Sequence, residues 1–118
     1  MKISDVTIGL RNLILEEAAT AIYERFGYSF VARTSSFLGG DYYAAVGSRE
    51  EVLVHLNRDG EEIAEEAHPE CAVLLQINSC DDANRWKSVI PELDGVLIRE
   101  NEYESSCTKR GLSWPIVF

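Results

Sequence analysis

Residues 71–78, CAVLLQIN, form a nearly continuous apolar run that ends in polar sequence. A run of this length reads as a strand covered on both faces, which belongs in the middle of a sheet. Asp81 or Asp82 then caps a predicted helix to about residue 92, with Ala83, Trp86, Val89 and Ile90 on its inner side. Pro91 falls near its end, Gly95 ends the turn, and Val96-Leu97-Ile98 opens another strand. Strand, helix and strand across residues 71–100 match the length of a βαβ crossover, which is nearly always right-handed with parallel strands.

Upstream, Val6, Leu10, Leu13, Ile14, Ala18, Ala21, Ile22 and Phe26 recur in steps of three and four. This spacing fits one helix face, and good helix formers dominate from Leu13 to Arg25. The pattern predicts a helix over about residues 11–26 that stops at Gly27. A cap at Ser4 or Asp5 would begin it earlier, and a cap at Asn12 would give the shorter form. Aromatic and β-branched residues predict strands over 28–35, 41–46 and 51–57. Gly47-Ser48 between the last two marks an antiparallel hairpin. Residues 58–70 carry six acids and an Asp-Gly turn signal, and read as a solvated loop. The apolar tail group Leu112, Trp114, Ile116, Val117 and Phe118 is expected to pack back on the domain or pair at a sheet edge. A chain of 118 residues implies one domain, 1–118. The expected class is α+β: a single-layer, mixed but mainly antiparallel sheet of about five strands, with two helices on one face.

Gly39-Gly40-Asp41 is the stretch closest to a motif. FLGGDYYAAVG resembles part of the Gly-Gly-Asp-Glu-Phe signature of diguanylate cyclases, but Tyr42 stands where the second acid belongs. A phosphate loop would need Lys and Ser or Thr opening a helix, and a β pattern follows instead. Adjacent glycines suit a bend entering an edge strand. Asp41 would then cap the turn, and Tyr42 and Tyr43 would point to opposite faces. One tyrosine would enter the core. The other would join Tyr28 or Phe37 on an exposed surface.

Twenty acids against eleven bases give a net charge of −9. This argues against nucleic-acid binding and against docking on anionic membranes, and it favours a basic protein partner. No apolar run approaches the ~20 residues of a membrane span. The N-terminus lacks the pattern of a signal peptide, so a cytoplasmic location is expected. Cys71, Cys80 and Cys107 then read as free thiols. His55 and His68 have no metal-ligand spacing, and no metal or cofactor is expected.

The leading functional reading is a non-enzymatic protein-binding domain. Its most concrete form is a bacterial immunity or antitoxin-type inhibitor of a basic toxin such as a nuclease. The partner surface would comprise Asp41, Tyr42 and Tyr43 with Glu61, Glu62, Glu65, Glu66, Glu100, Glu102 and Glu104. The carboxylates would meet Lys or Arg, and a tyrosine would anchor the contact. The alternatives are a small-ligand or regulatory domain acting as a homodimer, and a small enzyme using His55 with Asp41 or a cysteine.

Overall fold

The computed structural model describes residues 2–35, 40–46, 50–59 and 62–104. Its strands are β1 (Lys2–Leu10), β2 (Val31–Ser35), β3 (Gly40–Val46), β4 (Glu51–Leu56), β5 (Arg58–Asp59), β6 (Glu62–Ile63), β7 (Val73–Cys80) and β8 (Gly95–Glu104). The helices are α1 (Leu15–Phe26), α2 (Ala83–Lys87) and α3 (Val89–Glu92). Six strands form one sheet in the order β2-β3-β4-β7-β1-β8, and β5 and β6 make a separate ribbon. Every strand pair among the described residues is antiparallel. The α+β class holds, with a sixth strand in the main sheet.

That extra strand comes from the N-terminus. Residues 2–10 are β1 rather than the first turns of a helix. Val6, Ile8 and Leu10 alternate toward the helices and are fully or almost fully buried. Their period of two outweighs the period near 3.6 that Val6, Leu10 and Ile14 also satisfy. The start of α1 is correspondingly later. Its N-cap position is Ile14, whose N–H donates to the Glu17 carboxylate at 3.1 Å. Asn12 instead donates its amide to Asp94. The helix ends at Gly27, whose N–H donates to the Tyr23 carbonyl at 2.8 Å.

β1 also changes the crossover. β7 and β8 both pair antiparallel with β1, so they run in the same direction but are not neighbours. The helical link divides at Ser88 into α2 and α3. Pro91 has no N–H for the Lys87 carbonyl, and its ring crowds that group, so one continuous helix fails there. Asp82 caps α2 by accepting the Arg85 N–H at 3.2 Å.

Both helical units cover one face of the sheet. Leu15, Ala18 and Ile22 of α1, with Trp86 and Val89, pack on Val6, Ile8, Leu10, Val52, Val54, Val73, Leu75 and Ile77. Each large side chain contributes roughly 1.5–3 kcal/mol by leaving water. On the opposite face Leu74 is also buried, which matches the reading of β7 as covered on both sides.

Gly9 permits a close approach on that second face. A Cβ there would lie 2.5 Å from Cys71 Sγ and 2.9 Å from Ile98 Cδ1. Gly9→Ala is therefore expected to destabilise the fold by about 1–3 kcal/mol through overpacking. Cys71→Ala in the same chain should recover part of the loss, as read from urea unfolding midpoints. Additive effects of the two changes would contradict the contact.

Candidate functional site

β2 and β3 form a hairpin at one end of the sheet, and α1 lies over β3 and β4. Gly40 opens β3 with φ of 104°, a value that side chains disfavour, in keeping with the expected bend. The turn that Asp41 is expected to cap, residues 36–39, lies outside the described residues. The Asp41 carboxylate accepts the Thr34 hydroxyl across the hairpin at 3.0 Å, because Thr34 and Asp41 are register partners. Tyr43 packs against the core, and Tyr42 takes the other face beside its register partner His55. Tyr28 also packs on the core, so it forms no exposed surface with Tyr42. Phe37 and Gly39 lie outside the described residues.

Between the start of α1 and the hairpin lies a cavity of about 580 Å³. Ile14, Leu15, Tyr43 and Leu56 give it an apolar lining and Glu16, Thr34 and Asp41 add polar groups, while Arg33 and Tyr42 border it from strand positions whose side chains take the opposite face. A second hollow of about 430 Å³, lined by Tyr23 and Phe30 among others, shares Glu16 and Tyr43 with the first. The two adjoin along α1 at Glu16 and Tyr43 and are together called the trench. The five large hydrophobic side chains most exposed among the described residues include Ile14 at 59%, Tyr23 at 55% and Val31 at 56%. Ile14 and Tyr23 line the trench, whereas Val31 shares the opposite face of β2 with Arg33. Ile14 and Glu16 were not legible as site residues, because only the fold sets the start of α1 beside the β2–β3 hairpin.

The predicted acidic wall is divided. β3 and β8 are four strand positions apart, roughly 19 Å at ~4.8 Å per step, so the tyrosines and the Glu100–Glu104 stretch stand toward opposite ends of the sheet. Glu65 is bound by Arg99 through two contacts of 2.9 and 2.8 Å. Glu100 receives Lys87 at 2.8 Å on the other face of β8, and Glu102 lies 3.7 Å from Lys2. Glu104 is the register partner of Lys2. Glu66 is exposed. Glu62 belongs to β6, and Glu61 lies outside the described residues, as do Cys107 and the apolar tail. The loop does reach β8, through Glu65, but that carboxylate is met there by Arg99.

His55 is buried at 5% exposure. Its Nδ1 lies 3.2 Å from the Leu56 carbonyl, and its Nε2 lies 3.3 Å from the Gln76 amide oxygen. The enzyme alternative called for an acid or nucleophile at these positions. Burial first, and then the Glu70 carboxylate, push the Cys71 thiol up. Burial, and then Glu50, push Cys80 up to about 11. Both thiols therefore stay protonated and weakly nucleophilic at neutral pH. Among the described residues, no group of three or more His, Cys, Asp or Glu is placed to hold a metal ion, and no helix is long and apolar enough to cross a membrane.

Searches against protein-family models and against curated proteins find no match to the chain.

Proposed function

We propose that the chain is a non-enzymatic protein-binding domain that docks a basic partner at the trench between α1 and the β2–β3 hairpin. The observation that carries this reading is the placement of exposed Ile14 and Tyr23 along a trench bordered by Glu16 and Asp41. Large apolar side chains at the centre and carboxylates at the margin match the anatomy of a protein interface. The chain's charge of −9 would steer a cationic partner toward it. An immunity-type inhibitor of a basic toxin is the most concrete form of this proposal, and the acids on β8 and the 62–70 loop then serve steering rather than contact.

The test is retention of a discrete basic protein by the immobilised chain from its native host. Ile14→Ser with Glu16→Lys should weaken retention about tenfold or more, since anchor residues dominate such interfaces. Both side chains are exposed, so the fold should survive. Association should also slow as salt rises. Equal retention by the variant, at a rate indifferent to salt, would refute the proposal. A small apolar ligand is the second reading, favoured by a cavity within the roughly 300–1,000 Å³ range of ligand sites. It predicts that partner retention is insensitive to these substitutions, while small apolar compounds raise the melting temperature.

A further inference from the structure

We infer that the partner engages this site as an added strand: an extended cationic segment pairs with the outer edge of β2 and lays alternate apolar side chains over the trench. The inference rests on the protein-binding reading and specifies its mode. Among the described residues β2 ends the strand order, and residues 31–34 are exposed. An edge strand presents backbone N–H and C=O groups that can template another chain. The two edges of this sheet differ in chemistry. β8 carries Glu100, Glu102 and Glu104 along one face, charges of the kind that discourage strand addition. β2 reads Val-Ala-Arg-Thr-Ser, with no acid and no proline.

Strand alternation sets the pattern of the segment. Ala32 and Thr34 share the trench face with their register partners Tyr43 and Asp41. Added residues on this face should be apolar at the centre, with Lys or Arg at the ends to meet Glu16 and Asp41. Arg33 takes the opposite face, so the added residues beside it should be uncharged. β2 spans five residues, roughly 17 Å of pairing.

The probes are three synthetic heptapeptides: Lys-Thr-Val-Thr-Val-Thr-Lys, its form with Glu at both ends, and a form with Pro at the central Thr. Binding is read by fluorescence anisotropy, and backbone protection by hydrogen exchange at residues 31–35. The cationic peptide should bind at least about tenfold more tightly than either counterpart and slow exchange in β2. Asp41→Asn with Glu16→Gln should remove the preference for the cationic form. Binding without slowed exchange in β2, or equal binding of the proline form, overturns strand addition and leaves the basic-partner reading standing. Equal binding of the acidic form overturns both. No binding of any of the three overturns strand addition. Concentration-dependent protection of β2 in the chain alone also overturns it, because the occupant would then be a second copy.

Discussion

Glu50→Ala is expected to destabilise the fold by about 2–4 kcal/mol. Glu50 is a carboxylate only 8% exposed, placed just before β4. It accepts the Tyr28 hydroxyl and, at 3.4 Å, the indole N–H of fully buried Trp86. Arg85 stands 3.7 Å away. The same Trp86 ring packs 4.3 Å from Phe26 and 5.7 Å from Tyr28, measured between ring centres. One carboxylate thus ties the end of α1, the strand entering β4, and α2. Truncation would leave two donors without this acceptor. Arg85 can rehydrate, because its side chain is 43% exposed, which keeps the loss below that of a fully buried ion pair. Urea unfolding followed by tryptophan emission measures the change. A loss below about 1 kcal/mol would show that the cluster is dispensable.

The same cluster gives a pH dependence. Burial first, and then the Glu50 hydrogen bond and charge, push the Tyr28 phenol up to about 12 from 10.0. The folded state therefore holds this proton more tightly than the unfolded chain. The stabilisation is complete below pH 10 and is lost as pH rises through about 12. The stability difference between the native chain and Tyr28→Phe should shrink across that window. A constant difference would place the phenol outside the linkage.

Asn57→Asp is expected to match or exceed the effect of Glu50→Ala, at about 3 kcal/mol or more near neutral pH. Asn57 is 2% exposed. Its amide donates to the carbonyls of His68 at 3.0 Å and Cys71 at 2.8 Å. Its side-chain oxygen accepts the Glu65 N–H at 2.8 Å. Its own N–H donates to the Ala72 carbonyl, and its carbonyl accepts the Ala64 N–H. Asn57 therefore holds the 62–72 segment in place, and with it the Glu65 carboxylate that meets Arg99. Aspartate would aim one carboxylate oxygen, in place of the amide nitrogen, at two carbonyls. The substituted group should take up a proton more readily in the folded state than when unfolded. Stability should thus recover in acid and fall as pH rises through its folded pKa. Asn57→Ala should lose stability with no such recovery. Hydrogen exchange across residues 62–72 supplies the local readout, and unchanged exchange there would remove Asn57 as the organiser of the segment.

Legibility differed between elements for identifiable reasons. Residues 73–80 were readable because a short apolar run flanked by polar sequence has few stable places outside a sheet centre. β3 and β4 were readable from β-branched and aromatic residues around a glycine interruption. Residues 2–10 were misread because Val6, Leu10 and Ile14 satisfy a helical step as well as Val6, Ile8 and Leu10 satisfy a strand. Asp41 and Tyr43 share the trench face, and Tyr42 takes the opposite one. Glu100, Glu102 and Glu104, assigned to the same surface, are separated from it by the width of the sheet, and Asn57 passed unnoticed because its partners lie 8–14 residues away in sequence.

Apart from the β5–β6 ribbon, within residues read as a solvated loop, and the division of the second helical segment at Ser88, the local code of this chain determined where the main-sheet strands and the helical segments occur over residues 15–104, the bend at Gly40, and a strongly negative net charge. These follow from side-chain shape, apolar period and residue counts, which act over a few neighbours or none. Strand order was decided only on folding, when β1 entered between β7 and β8 and buried its alternating face. That order sets which distant groups meet: Arg99 with Glu65, Glu50 with Tyr28 and Trp86, and α1 with the β2–β3 hairpin. Charge neutralisation and trench shape depend on such long-range pairs, and burying the whole apolar set at once selects them.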